Sequence, residues 1–97
     1  MKYTIWRRED AIMLGLNLAA LTRYGIKPNK SNYGWSIKDM IDVSEDETPQ
    51  DIVDRIYSKT RSSGSNLFVG DVVEMDDRYW FIDSIGVKEL PEFGKEG

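Results

Sequence analysis

The sequence predicts a small α+β domain, an antiparallel β-sheet with two helices packed on one face. Three observations carry this. Thr48-Pro49-Gln50-Asp51 opens a segment whose apolar residues recur at helical spacing, and Ala11 to Leu21 is an Ala/Leu-rich run led by two acids. Between and around them stand runs of β-branched and aromatic residues, two of them flanking Asp76-Asp77-Arg78. With 97 residues the chain is expected to be one domain, 1–93, followed by a flexible tail, 94–97.

The opening strand is Lys2–Arg7, with Tyr3 and Ile5 on one side and Thr4 and Trp6 on the other. Glu9 and Asp10 then suit the positive end of a helix dipole. The helix behind them puts Ile12, Leu16, Ala20 and Tyr24 on one ridge and ends near Gly25. Lys27 to Asn32 is turn chemistry, Tyr33–Ile37 a second strand, and the acidic stretch after it an irregular connection. In the next helix Thr48 is the N-cap, Pro49 the first residue and Asp51 the capping-box partner. Ile52, Val53, Ile56 and Tyr57 form its apolar stripe, and Ser62-Ser63-Gly64 ends it; Ser62 to Ser65 is a connector. Leu67–Met75 and Tyr79–Val87 complete a hairpin, and their apolar residues at adjacent positions allow cover on both faces. Residues from Glu92 on read as a frayed end.

Composition removes whole classes of chemistry. The chain has no cysteine and no histidine, which excludes disulfides, thiolate metal sites, a thiol nucleophile and an imidazole base. The expectation is therefore a protein that is not an enzyme and holds no cofactor. A disulfide-free small domain fits a reducing cytosol; the N-terminus lacks the apolar core of a signal peptide, and no run is long enough to span a bilayer. The net charge of −4 is uneven: residues 1–48 hold seven bases and seven acids, residues 49–97 six bases and ten acids. That balance disfavours direct binding to nucleic acid and favours a partner with a basic surface.

The candidate partner-binding patch is Asp39, Asp42, Glu45, Asp46, Glu47, Asp51 and Asp54, seven acids with no Lys or Arg among them. Such a run can imitate the phosphates of a nucleic acid in a basic groove, or it can be a solvated loop feeding a helix that favours acids at its start. Asp71, Glu74, Asp76 and Asp77 form a second acidic group whose spacing matches no metal loop; a solvated turn is its simpler reading. Of Trp6, Trp35 and Trp80, Trp35 follows Gly34 in a turn-rich region and is the candidate exposed anchor. Asp83-Ser84-x-Gly86-x-x-Glu89 either holds a ligand or a partner's arginine, or pins a turn with Gly86 supplying an unusual φ.

Leu67-x-Val69-x-Asp71-Val72-Val73, followed by Trp80-x-Ile82-Asp83-Ser84-x-Gly86-x-x-Glu89-Leu90-Pro91-x-Phe93, resembles the signature of YodL-like domains. Val87 replaces the family's usual Phe, and Gly70 stands where Ser is common. The resemblance spans most of the chain but is specific only in its last third. It implies an accessory protein of Gram-positive bacteria, phages or conjugative elements, a setting that includes antirestriction modules, and it carries no catalytic residue set. The expected function is non-enzymatic inhibition of a host protein in the bacterial cytoplasm, such as a CRISPR or restriction nuclease, by occupation of its basic surface. Two alternatives stay open. One is sequestration of a nucleotide signal in a pocket with Trp35, Trp80 or Asp83, helped by Arg7, Arg8 and Lys30; the other is inhibition of a cytoskeletal or division protein.

Overall fold

The computed structural model describes residues 1–8, 17–64 and 66–94, apart from the side chain of Trp35. Five strands, β1 (Lys2–Arg7), β2 (Trp35–Met40), β3 (Val72–Met75), β4 (Arg78–Ile82) and β5 (Val87–Glu89), form one antiparallel sheet in the order β2-β1-β3-β4-β5. Helix α1 is Leu18–Arg23 and α2 is Pro49–Ser63. The first strand of the chain thus lies inside the sheet, paired with β2 on one side and β3 on the other.

The α+β class and the antiparallel sheet are as the sequence predicts, but the helices divide between the two faces. Tyr3, Ile5, Val73 and Met75 point to one face and join Ile52, Val53 and Ile56 of α2, with Leu67, in one core. Alternation turns Val72 and Phe81 the other way, where they meet Leu21 of α1, Tyr33 and Phe93. The sheet centre is apolar on both sides because both are covered. An amphipathic pattern along each strand would have demanded cover on one side only.

Helix α2 is built as its sequence dictates. Thr48 Oγ1 accepts from the Asp51 N–H at 3.2 Å, and Asp51 Oδ2 accepts from the Thr48 N–H at 3.0 Å, a complete capping box. Gly64, at φ 81°, ends the helix in the left-handed region and donates to the carbonyls of Thr60 and Arg61. Its buried stripe is Ile52, Val53, Ile56 and Thr60, whereas Tyr57, four residues after Val53, lies nearly half exposed.

Helix α1 starts later than the Ala/Leu pattern predicts. Asn17 is its N-cap, with Oδ1 accepting from the Ala20 N–H at 2.8 Å. Ala11 to Leu16, including the Ile12 and Leu16 ridge positions, lie outside the described residues, as do Glu9 and Asp10, Ser65 of the connector and residues 95–97 of the tail. Strand β2 extends to Met40, so Asp39 belongs to a strand and not to the connection.

The final segment contains one strand more than its two apolar runs predict. Asp76 and Asp77, at φ 52° and 60°, form the two-residue turn of the β3–β4 hairpin, and Arg78 already belongs to β4. Strand β3 begins only at Val72, because Leu67 to Asp71 form a loop. The second run breaks at Asp83–Gly86, after which β5 returns along β4. The chain is anchored through Phe93, fully buried against Tyr33, Tyr79 and Trp6. A Cβ at Gly94 would stand 2.8 Å from the Tyr79 ring.

Candidate interaction surface

The seven acids proposed from sequence separate into structural and free members. Glu47 Oε1 accepts from the Ser44 N–H at 2.8 Å and from Arg55 Nη1 at 2.7 Å. The same Arg55 nitrogen donates to the Asp42 carbonyl at 2.6 Å, and the Glu47 N–H closes a turn onto the Ser44 carbonyl at 3.1 Å. The backbone N–H of Ser44 beside the Glu47 carboxylate, with Arg55 behind it, holds that carboxyl below its ordinary range. Asp51 is committed to the capping box, and Asp54 accepts from Gln50 at 2.9 Å. Asp39 accepts from the Met40 N–H at 2.8 Å and pairs with Lys59 at 3.1 Å; the Met40 bond, then Lys59, lowers its pKa.

Asp42, Glu45 and Asp46 remain. All three are exposed, and no described residue pairs with their side chains. They ride on a loop fixed at both ends, by Arg55 and Glu47 on one side and by the cap of α2 on the other. A loop held in this way loses little conformational freedom when it binds.

The fold adds acids to this end of the sheet that the sequence assigned elsewhere. A shallow cavity of about 530 Å³ is lined by Val43 of the loop, by Lys2, Tyr3 and Thr4 of β1, and by Glu74, Asp76 and Asp77 of the β3–β4 hairpin. A second, of about 210 Å³, joins Glu47 and Pro49 to Asp76, Arg78 and Trp80. The hairpin tip and the acidic loop therefore border one surface, with Val43 exposed between them. No local pattern could pair residues 42–46 with 76–77; the sheet does so, because the start of β1 pairs with the end of β2 on one side and the end of β3 on the other. Among the described residues, no group of acids is arranged to hold a metal ion.

Asp71 is a correction to the hairpin cluster. Its side chain is 1% exposed and receives Arg7 Nε at 3.0 Å, Arg7 Nη2 at 2.7 Å and the Phe68 N–H at 2.9 Å. Burial pushes this carboxyl up, against the pull of Arg7 and the Phe68 N–H.

The other signature positions also hold the fold together. Asp83 Oδ1 accepts from the Ser84 N–H at 2.9 Å and the Leu18 N–H at 3.4 Å, tying the β4–β5 turn to α1. Ser84 receives Asn17 at 3.5 Å, and Gly86 supplies φ 73° to the turn. Glu89 pairs through both oxygens with Arg78, each at 2.8 Å, and Trp80 lies 4.7 Å under that guanidinium. The Leu90 N–H donates to Tyr79 at 2.8 Å, and exposed Pro91 turns the chain so that Phe93 enters the core. Asp83 and Glu89 thus engage different partners and do not converge on one ligand.

The cations nominated for a nucleotide are mostly committed. Arg7 holds Asp71, and Lys30 Nζ donates to Tyr79 Oη at 3.0 Å while lying 5.0 Å from the Trp6 ring centre. Arg8 differs: among the described residues none accepts from its buried Nε and Nη1, and its guanidinium carbon lies 5.9 Å from the Tyr33 ring centre. Trp35 stands at the end of β2 opposite Arg7, and its expected exposure lies outside what is described.

Comparison with known proteins finds no family model, no curated protein and no solved structure that matches this chain. The likeness to YodL-like domains rests on its motif residues alone. Among the described residues, no helix is long and apolar enough to cross a membrane.

Proposed function

We propose that this protein is a non-enzymatic inhibitor that docks its acidic sheet end onto a basic surface of a host protein. The observation that carries the reading is the division of labour in residues 42–47. Glu47 spends its charge on Arg55 and Ser44, and in doing so presents Asp42, Glu45 and Asp46 unpaired on a fixed loop beside Asp76 and Asp77. Fixed carboxylates around a small apolar centre, Val43, suit a groove that otherwise binds phosphates. The motif likeness to YodL-like domains supports a mobile-element setting in a bacterial cytoplasm, and a nucleic-acid-cleaving defence enzyme is the target class that fits both.

The test is capture from a bacterial lysate with the native chain and with Asp42→Lys/Glu45→Lys/Asp46→Lys. A nucleic-acid-binding protein retained by the native chain, released by salt and competed by duplex DNA, but lost with the triple variant, is the expected result. Retention unchanged in the variant overturns the reading. Glu47→Lys is a poor substitute, because it would also dismantle the loop.

Arg8 favours one second reading, a small anionic ligand that satisfies the two nitrogens for which no described residue supplies an acceptor. A rise in melting temperature at large nucleotide excess would support it; no rise at any nucleotide concentration would remove it.

A further inference from the structure

Strand β2 is one of the two edges of the sheet, and its outward backbone can be read group by group. Met1 and Ile41 exchange both of their backbone hydrogen bonds, at 2.7 and 2.9 Å. Bonded and non-bonded pairs alternate along an antiparallel ladder. In the observed register Asp39, Ile37 and Trp35 therefore direct their N–H and C=O groups at β1, while Ser36, Lys38 and Met40 direct theirs outward.

Met40 is already satisfied on that outer side. Its N–H donates to Asp39 Oδ1 at 2.8 Å and its carbonyl accepts from Lys59 Nζ at 2.6 Å. No described residue bonds the outward groups of Ser36 and Lys38. The opposite edge, β5, has only three residues, whereas β2 has six and no proline.

We propose that a second copy of this chain adds to this edge, β2 against β2 and antiparallel, with Ile37 on the two-fold axis. Opposed residues must share a face and bonded positions must meet bonded positions, which leaves few registers. Centred on Ile37, Ser36 bonds Lys38 of the second copy and Lys38 bonds its Ser36, making four hydrogen bonds from the open groups alone. Half-buried Ile37 meets its own copy as a non-bonded pair on the α2 face.

Centring on Lys38 instead sets two lysines opposite each other and calls on the occupied groups of Met40. Centring on Ser36 requires Gly34, outside the strand. A lysine in mid-edge usually discourages strand addition; in the Ile37 register it meets a serine. The product is a continuous ten-stranded sheet, and it holds whether or not the acidic surface is the inhibitory one.

Because the chain has no cysteine, single substitutions test the register directly. Non-bonded antiparallel pairs hold their Cα atoms about 4.5 Å apart, within the range of a disulfide. Ile37→Cys is expected to cross-link under mild oxidation at least about tenfold faster than Ser36→Cys or Lys38→Cys, whose own copies do not face each other. Lys38→Pro removes one outward N–H without touching the β1 ladder, and should sediment as a monomer with an unchanged far-ultraviolet spectrum. The native chain should show concentration-dependent dimers. A native monomer at up to about 1 mM, where linked or weak pairs form, overturns the proposal. So do equal cross-linking rates at all three positions, or an edge filled only by an added extended peptide. Sedimentation of the native chain stands even if Ile37→Cys misfolds.

Discussion

Arg7 and Asp71 face each other as a two-pronged pair, guanidinium Nε and Nη2 on carboxylate Oδ1 and Oδ2, with the acid almost wholly enclosed. Arg7 also reaches the Asn66 carbonyl at 2.5 Å and covers the Phe68 ring at 4.7 Å. The pair fixes the loop that leads from α2 into β3.

Removing Arg7 leaves the enclosed Asp71 carboxylate without its guanidinium, and removing Asp71 takes from Arg7 the carboxylate it grips with two nitrogens. Asp71→Ala should cost about 3–5 kcal/mol, and Arg7→Ala a comparable amount. Urea denaturation of the two single variants and the double variant checks this. The double variant should lose clearly less than the sum of the singles.

The acidic loop should respond differently to its two supports. Thr48→Ala removes the cap and should cost about 1 kcal/mol of global stability. Arg55→Ala breaks an exposed pair and should cost at most about 1 kcal/mol. Its main effect should be local, with faster hydrogen exchange at Ser44 and Glu47 while the amides of β1 stay protected.

Asp76 and Asp77 occupy the left-handed region, which Asn-Gly fills at lower strain. Replacing the pair by Asn-Gly should raise stability by about 1 kcal/mol, the scale of relieving such strain. Removing two acids from the sheet end should at the same time weaken capture of a basic partner. Thermal melts and the lysate assay read the two effects separately.

Tyr33 sets an alkaline limit. Its hydroxyl donates to the Gly70 carbonyl at 2.7 Å inside the second core, and burial, the chief cause, raises its pKa far above the ordinary value near 10. The folded state therefore keeps a proton that the unfolded chain gives up. Its contribution to stability is complete below about pH 10 and falls as pH rises from there toward the folded value. Melting followed between pH 8 and 11.5 should show this fall, and Tyr33→Phe should make it shallower.

Elements with complete local grammar were legible in the sequence. Thr48-Pro49 with Asp51, and Gly64, specify both ends of α2 without help from the rest of the chain. Asp76-Asp77 likewise marks a hairpin. What failed to show was decided by distant residues. Asn17 looked interior to an apolar run, and its capping role depends on where the β4–β5 turn meets α1. Asp71 looked like one more surface acid until Arg7, at the end of β1, enclosed it. The acidic patch was half legible: the run of acids was plain, but which members are free depends on Arg55 and on the hairpin tip lying beside the loop.

Phe93 has a consequence for biogenesis. The second core contains Leu21, Tyr33, Val72, Phe81 and Phe93, so it closes only when a residue near the end of these 97 has left the ribosome. Strand β1, made first, waits for β2 and then for β3 before both of its edges are paired. Synthesis proceeds at about 5–20 residues per second. For several seconds, then, the nascent chain carries apolar strands with unpaired edges, the kind of surface that chaperones exist to shield.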